Sequence, residues 1–135
     1  MGCGTSMLIS AAGSGNETAV RFWLGPGCAT VDNTDKNGFT ALMAASRGGH
    51  VGLVHALLDQ HACIYATTKD GQTALMYAAN SGSDEVVQAL VLAGADIEAR
   101  NNDGYRPLLY AARGGHASVV RILLTEGADI NATTE

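Results

Sequence analysis

The sequence predicts an all-α solenoid of stacked helix-turn-helix units joined by short β-turn and hairpin loops. Three observations predict it. Gly38, Gly71 and Gly104 stand 33 residues apart, and their surroundings repeat with them. The hydrophobic share of 47 % is Ala, Leu and Val, with only 5 % aromatics, which suits closely packed short helices better than one large core. The apolar segments between glycines are also too short to be stable as helices alone in water.

Residues 1–6 read as an N-terminal tail, and residues 7–135 as one domain. Residues 7–33 supply a worn first copy: Leu8-Ile9-Ser10-Ala11-Ala12, then Gly15, Val20, Leu24 and Gly27, with one extra residue before Val31. Complete copies run over about 34–67, 68–100 and 101–133. The second opens with Asp35-Lys36-Asn37-Gly38-Phe39-Thr40-Ala41-Leu42-Met43. The third answers with Thr68-Lys69-Asp70-Gly71-Gln72-Thr73-Ala74-Leu75-Met76, and the fourth with Asn101-Asn102-Asp103-Gly104-Tyr105-Arg106-Pro107-Leu108-Leu109. Ala45-Ser46, Ala78-Ala79 and Ala111-Ala112 then align, as do Gly49, Gly82 and Gly115. Leu53-Val54, Val86-Val87 and Val119-Val120 follow, then Leu57-Leu58, Leu90-Val91 and Leu123-Leu124.

Each copy has a physical reading. The Asp/Asn-x-x-Gly stretch is a tight turn whose glycine takes positive φ. Thr40 and Thr73 cap a first helix by accepting a backbone N–H. That helix stops at Gly49, Gly82 or Gly115, where a left-handed residue ends it. A second helix carries the Val-Val and Leu-Leu pairs on one face and ends near Gly94 or Gly127. His61 occupies the equivalent C-terminal slot, a non-glycine residue expected at positive φ.

With these residues aligned, the chain resembles the ankyrin repeat family, whose unit is a β-turn followed by two antiparallel helices. The resemblance covers nearly the whole chain. Ala41 and Ala74 depart from the family's Pro and Met43 and Met76 from its His, all compatible with a helix. Arg106 replaces the capping Thr, which weakens that helix start by roughly 1 kcal/mol.

The resemblance implies binding to another protein through the hairpin tips and the concave inner-helix face. Mapped onto this sequence, those positions are Lys36, Asn37, Phe39 and Arg47 in the second copy. The third offers Lys69, Asp70, Gln72, Asn80 and Ser81, with Arg100 at the junction. The fourth offers Asn102, Asp103, Tyr105 and Arg113. Phe39 and Tyr105 are expected in an exposed turn slot, where aromatics serve as binding hot spots. Six of the eight basic residues (Lys36, Arg47, Lys69, Arg100, Arg106, Arg113) fall on this side, and Glu17, Asp59, Asp84, Glu85 and Glu126 fall along the outer helices. The expected partner segment is therefore acidic and apolar. Helices packed about 8 to 10 Å apart give a groove of roughly 40 Å over four copies. Asn131 sits where hydroxylases modify asparagine in this family, or serves the loop structurally.

Other chemistries find little support. A net charge of −5 opposes general nucleic-acid binding. Cys3, Cys28 and Cys63 form no even framework, so reduced thiols and an intracellular, cytoplasmic location are expected. No apolar run approaches the roughly 18 residues of a membrane span. His55, His61 and Cys63 follow no zinc-ligand spacing, and no nucleophile lies beside a base and an orienting acid. Neither a metal nor a cofactor nor catalysis is expected.

Met1-Gly2-Cys3-Gly4-Thr5-Ser6 does fit the pattern for N-myristoylation at Gly2, with Cys3 placed for a second acyl chain. Membrane attachment is expected only through such acylation, which would make the chain a tethered scaffold. The fourth copy keeps the apolar pattern of an internal repeat, with Ile122 where Ala56 and Ala89 stand earlier. A solenoid end is normally polar. A piece of a longer array, self-association through this end, or a frayed last copy each account for it.

Overall fold

The computed structural model describes residues 2–26 and 29–128, and among them eight helices and no strand. The first copy holds α1 (Gly2–Gly13) and α2 (Glu17–Trp23), the second α3 (Ala41–Gly48) and α4 (Val51–Asp59). The third holds α5 (Ala74–Ser81) and α6 (Asp84–Leu92), the fourth α7 (Pro107–Arg113) and α8 (Ala117–Thr125). Inner helices α1, α3, α5 and α7 stack in that order, while α4, α6 and α8 form the outer row behind them. The repeating all-α solenoid that the 33-residue register predicts is the fold.

The helix starts follow from side-chain chemistry. Thr40 Oγ1 accepts from Met43 N and Thr73 Oγ1 from Met76 N, each at 3.2 Å. Arg106 stands at the same place with no side-chain cap. Pro107 follows at the first helical position, where a missing N–H costs nothing, and Arg106 is instead ion-paired with Glu98 at 3.6 Å.

Small residues set the spacing of the inner row. Ala41, Ala44 and Ala45 of α3 and Ala74, Ala78 and Ala79 of α5 are buried, so neighbouring backbones approach closely. Leu42, Leu75 and Leu108 give each complete copy a core leucine, and Leu53, Leu57, Val86, Leu90 and Leu123 cover them from the outer row. Truncating such a leucine to alanine costs about 2 to 5 kcal/mol. Met43 and Met76 are buried with them.

The hairpins join one copy to the next. Lys69 N donates to Asn37 O, and Asn102 N donates to Asp70 O, each at 2.9 Å. This contact explains the turn glycines. At Gly71, with φ 81°, a Cβ would lie 2.9 Å from Asn102 Oδ1 and 3.0 Å from Asn101 Cα. Histidine joins the copies a second time: His50 Nε2 donates to Gly13 O at 3.0 Å, and His116 Nε2 donates to Asn80 O at 2.9 Å.

Some expectations change. The segment set apart as a tail, residues 1–6, enters α1 from Gly2 onward, and Gly4 and Thr5 are buried. Asn33 Nδ2 donates to Thr5 Oγ1 at 3.0 Å, which ties that first turn to the loop before the second copy. The first inner helix ends as predicted at a left-handed Gly49 and Gly82, but α7 stops one residue earlier, with Gly114 as its cap ahead of the left-handed Gly115. His61 has φ 65°, as its slot requires. Ile122 is only half-exposed, lining a cleft of about 390 Å³ between α6 and α8 with Leu92, which is 85 % exposed. Asn131 and Cys28 lie outside the described residues.

Candidate partner-binding groove

Hairpin tips and inner helices meet at a groove, and its floor is aromatic. Between the second and third copies it forms a hollow of about 490 Å³, floored by Ile9, Phe39, Arg47 and Tyr77, with Asp35, Asn37, Thr68 and Asp70 at its rim. Local geometry builds the rim. Asp35 Oδ1 accepts from Asn37 N and Phe39 N, at 2.8 and 2.9 Å, holding the tight turn. Asn101 Oδ1 does the same for Asp103 N and Tyr105 N at 2.9 Å.

The expectation of an exposed Phe39 is corrected. Phe39 is only 9 % exposed, because Tyr77 of the next copy meets it edge-on at 5.3 Å and the Arg47 guanidinium covers its face at 4.7 Å. Stacking one copy on the next creates this core position, so no single unit reveals it. Tyr105 stays half-buried, tilted against Tyr110 at 5.3 Å and covered by the Arg113 guanidinium at 5.0 Å. The arrangement recurs: an aromatic at the hairpin tip, and an arginine eight residues later folded over its ring.

Other predicted positions divide clearly. Arg47 and Arg113 are exposed, and no carboxylate of the described residues is within ion-pairing distance of either. Lys36, Asn37, Lys69, Asp70, Asn102 and Asp103 are exposed at the tips, as is Arg100 at the junction. Asn102 Nδ2 is spent on Lys69 O at 2.9 Å. Gln72 is half-buried, its Nε2 donating to Tyr110 Oη at 2.7 Å, so it braces the groove floor. Asn80 and Ser81 are exposed, and Asn80 gives its backbone carbonyl to His116 while its side-chain amide faces outward. Arg106, counted among the basic residues of this side, is engaged by Glu98.

Tyr77 and Tyr110 belong to the floor and were not among the predicted positions. Burial is the largest influence on the Tyr77 phenol and raises its pKa above 10.0. Arg47 opposes that rise, while Tyr110, Asp70 and Asp35 reinforce it. Tyr77 is therefore a neutral hydroxyl. Tyr110 Oη accepts from Gln72 and, at 2.8 Å, from Asn101 Nδ2, which leaves its own hydrogen as a donor. The two tyrosines are 33 residues apart, so the register itself carried the signal.

The remaining candidates do not converge. His55, His61 and Cys63 are exposed, and among the described residues no three His, Cys, Asp or Glu side chains gather as a metal site. Gly2 and Cys3 lie in the first turn of α1. No helix among the described residues is long and apolar enough to cross a membrane.

A comparison with curated proteins finds no match. The family model described as ankyrin repeats, in three copies, matches residues 7–101 and again residues 66–134. Together these spans take in the turn glycines, the threonine caps and the stacked helix pairs just described, and the chain belongs to the ankyrin repeat family.

Proposed function

We infer that this chain is a non-catalytic adaptor or regulatory subunit that holds a partner protein in the groove between its hairpin tips and inner helices. Ankyrin repeats are in general protein–protein interaction modules and typically lack enzymatic activity. The observation carrying the reading is the groove floor, where Arg47 and Arg113 lie over aromatic rings without a carboxylate partner. One buried and one half-buried ring topped by unpaired guanidinium groups make the composition of a binding hot spot, and they favour a segment bearing acidic and apolar residues.

The tethered-scaffold reading has the Met1–Ser6 motif for support. Against it, the motif runs into α1, where Gly4 and Thr5 are buried, so recognising it as a tail requires that turn to unwind. A photo-cross-linking residue placed at Asn80 on the concave face, and separately at Gln88 on α6, tests the main reading. The partner should be captured from Asn80 and not from Gln88. Capture from Gln88 alone would move the interface to the outer helices and end the proposal.

A further inference from the structure

We propose that the groove is built for an extended peptide segment carrying two carboxylate side chains about five or six residues apart. This rests on the groove being the partner interface and specifies what it reads there. The two arginines are equivalent residues of the second and fourth copies, each pinned over a ring contributed from its own hairpin tip. A pinned guanidinium loses little side-chain freedom on pairing, and its planar fork donates two hydrogen bonds to a carboxylate.

Their separation follows from the stack. Two steps of about 8 to 10 Å put the groups roughly 16 to 20 Å apart, the span of about five or six residues of extended chain at 3.3 Å each. The copy between them reads differently. Where the flanking copies place arginine, Asn80 presents an exposed amide, and where they place an aromatic ring, Gln72 is held by Tyr110. A side-chain amide offers both a donor and an acceptor, the match for a peptide backbone passing between the two charged anchors. Asp35 Oδ1 is directed to its own turn, accepting from Asn37 N and Phe39 N, and neither Asp35 nor Asp70 at the rim forms an ion pair with Arg47.

The test uses synthetic peptides as the probe. Blocked peptides of Ser, Ala and Leu carry two glutamates at separations from two to nine residues, and each is titrated into the ¹⁵N-labelled full chain. Binding should be tightest at five or six residues and weaken roughly five-fold or more at two and at nine. R47Q and R113Q should each cost about ten-fold with the best peptide and erase the spacing preference. Both arginines are exposed, so folding is retained, and circular dichroism verifies it. Affinity independent of spacing, a preference that survives R47Q, or no binding of any peptide overturns the proposal. If spacing has no effect yet shifts map to Tyr77 and Tyr110, the groove remains the interface. Shifts confined to α2, α4, α6 and α8 overturn both readings.

Discussion

Replacing Ser83 with histidine asks whether the histidine struts between copies are interchangeable parts. Histidine stands at 50 and 116, and serine stands between them at 83. Each strut ring lies over the residue two before it, and that residue is glycine: a Cβ on Gly48 would be 2.5 Å from the His50 ring, and one on Gly114 would be 2.6 Å from the His116 ring. At the equivalent place the third copy has Ser81, so the two serines replace a glycine and a histidine together. Ser83→His alone drives the imidazole into the Ser81 Cβ, an overpacking cost of about 1 to 3 kcal/mol. Ser81→Gly alone loses the hydroxyl's bond to Ala78 O at 3.1 Å and loosens the end of α5, costing about 1 kcal/mol. The double variant removes the collision and gives Nε2 the Arg47 carbonyl, a hydrogen bond that contributes about 1 kcal/mol and offsets the glycine. It should be as stable as the parent, with a favourable coupling of about 2 kcal/mol or more between the two changes. Guanidinium unfolding of the four proteins, followed by circular dichroism, measures that cycle. Additive effects, within about 0.5 kcal/mol, would refute the strut geometry.

Ser46→Ala should stabilise the chain by about 1 to 2 kcal/mol, because its hydroxyl is 0 % exposed without a hydrogen-bond partner and alanine is the better helix former; a loss of stability in chemical unfolding would contradict this. Tyr77 governs an alkaline limit. Its raised pKa means the unfolded chain gives up this proton first, from about pH 10.0, so stability holds below that point and declines as pH rises through the folded value. Tyr77→Phe should flatten that part of the decline, and alkaline unfolding curves that coincide for the two proteins would show that burial of the phenol does not matter.

Positions constrained by the same contact in every copy were legible because repetition exposes them. Thr40 and Thr73, Gly49 and Gly82, and the core leucines recur since each copy solves the same capping and stacking problem. The start of α1 was not legible, because Gly4 and Ser6 hold the register places of the hairpin glycine and the capping threonine, yet the helix runs through both from Gly2. Its first turn is fixed instead by a bond to Asn33, from a loop well beyond the helix. Tyr77 and Tyr110 escaped notice for another reason. They lie beside Met76 and Leu109 in the register, and Ser10 and Ala44 hold the same place in the other copies.

The groove is where the register stops being informative on its own. Phe39, Gln72 and Tyr105 share one position, yet their surroundings differ: the first two meet the copy that follows, and Tyr105 meets only its own. Phe39 is buried by Tyr77, Gln72 is tied to Tyr110, and Tyr105 rests on the Tyr110 ring of its own copy. Exposure at this position is thus a property of a pair of copies, and a pattern aligned copy by copy averages it away. The same holds for the charges. Sorting basic residues by face places Arg47, Arg106 and Arg113 in one class, but Glu98 pairs with Arg106 while rings hold the other two. In the proposed interface, an anchoring arginine differs from a structural one by the neighbour that immobilises it. An aromatic ring leaves the guanidinium's charge unpaired, whereas Glu98 pairs with that of Arg106 through Nη1.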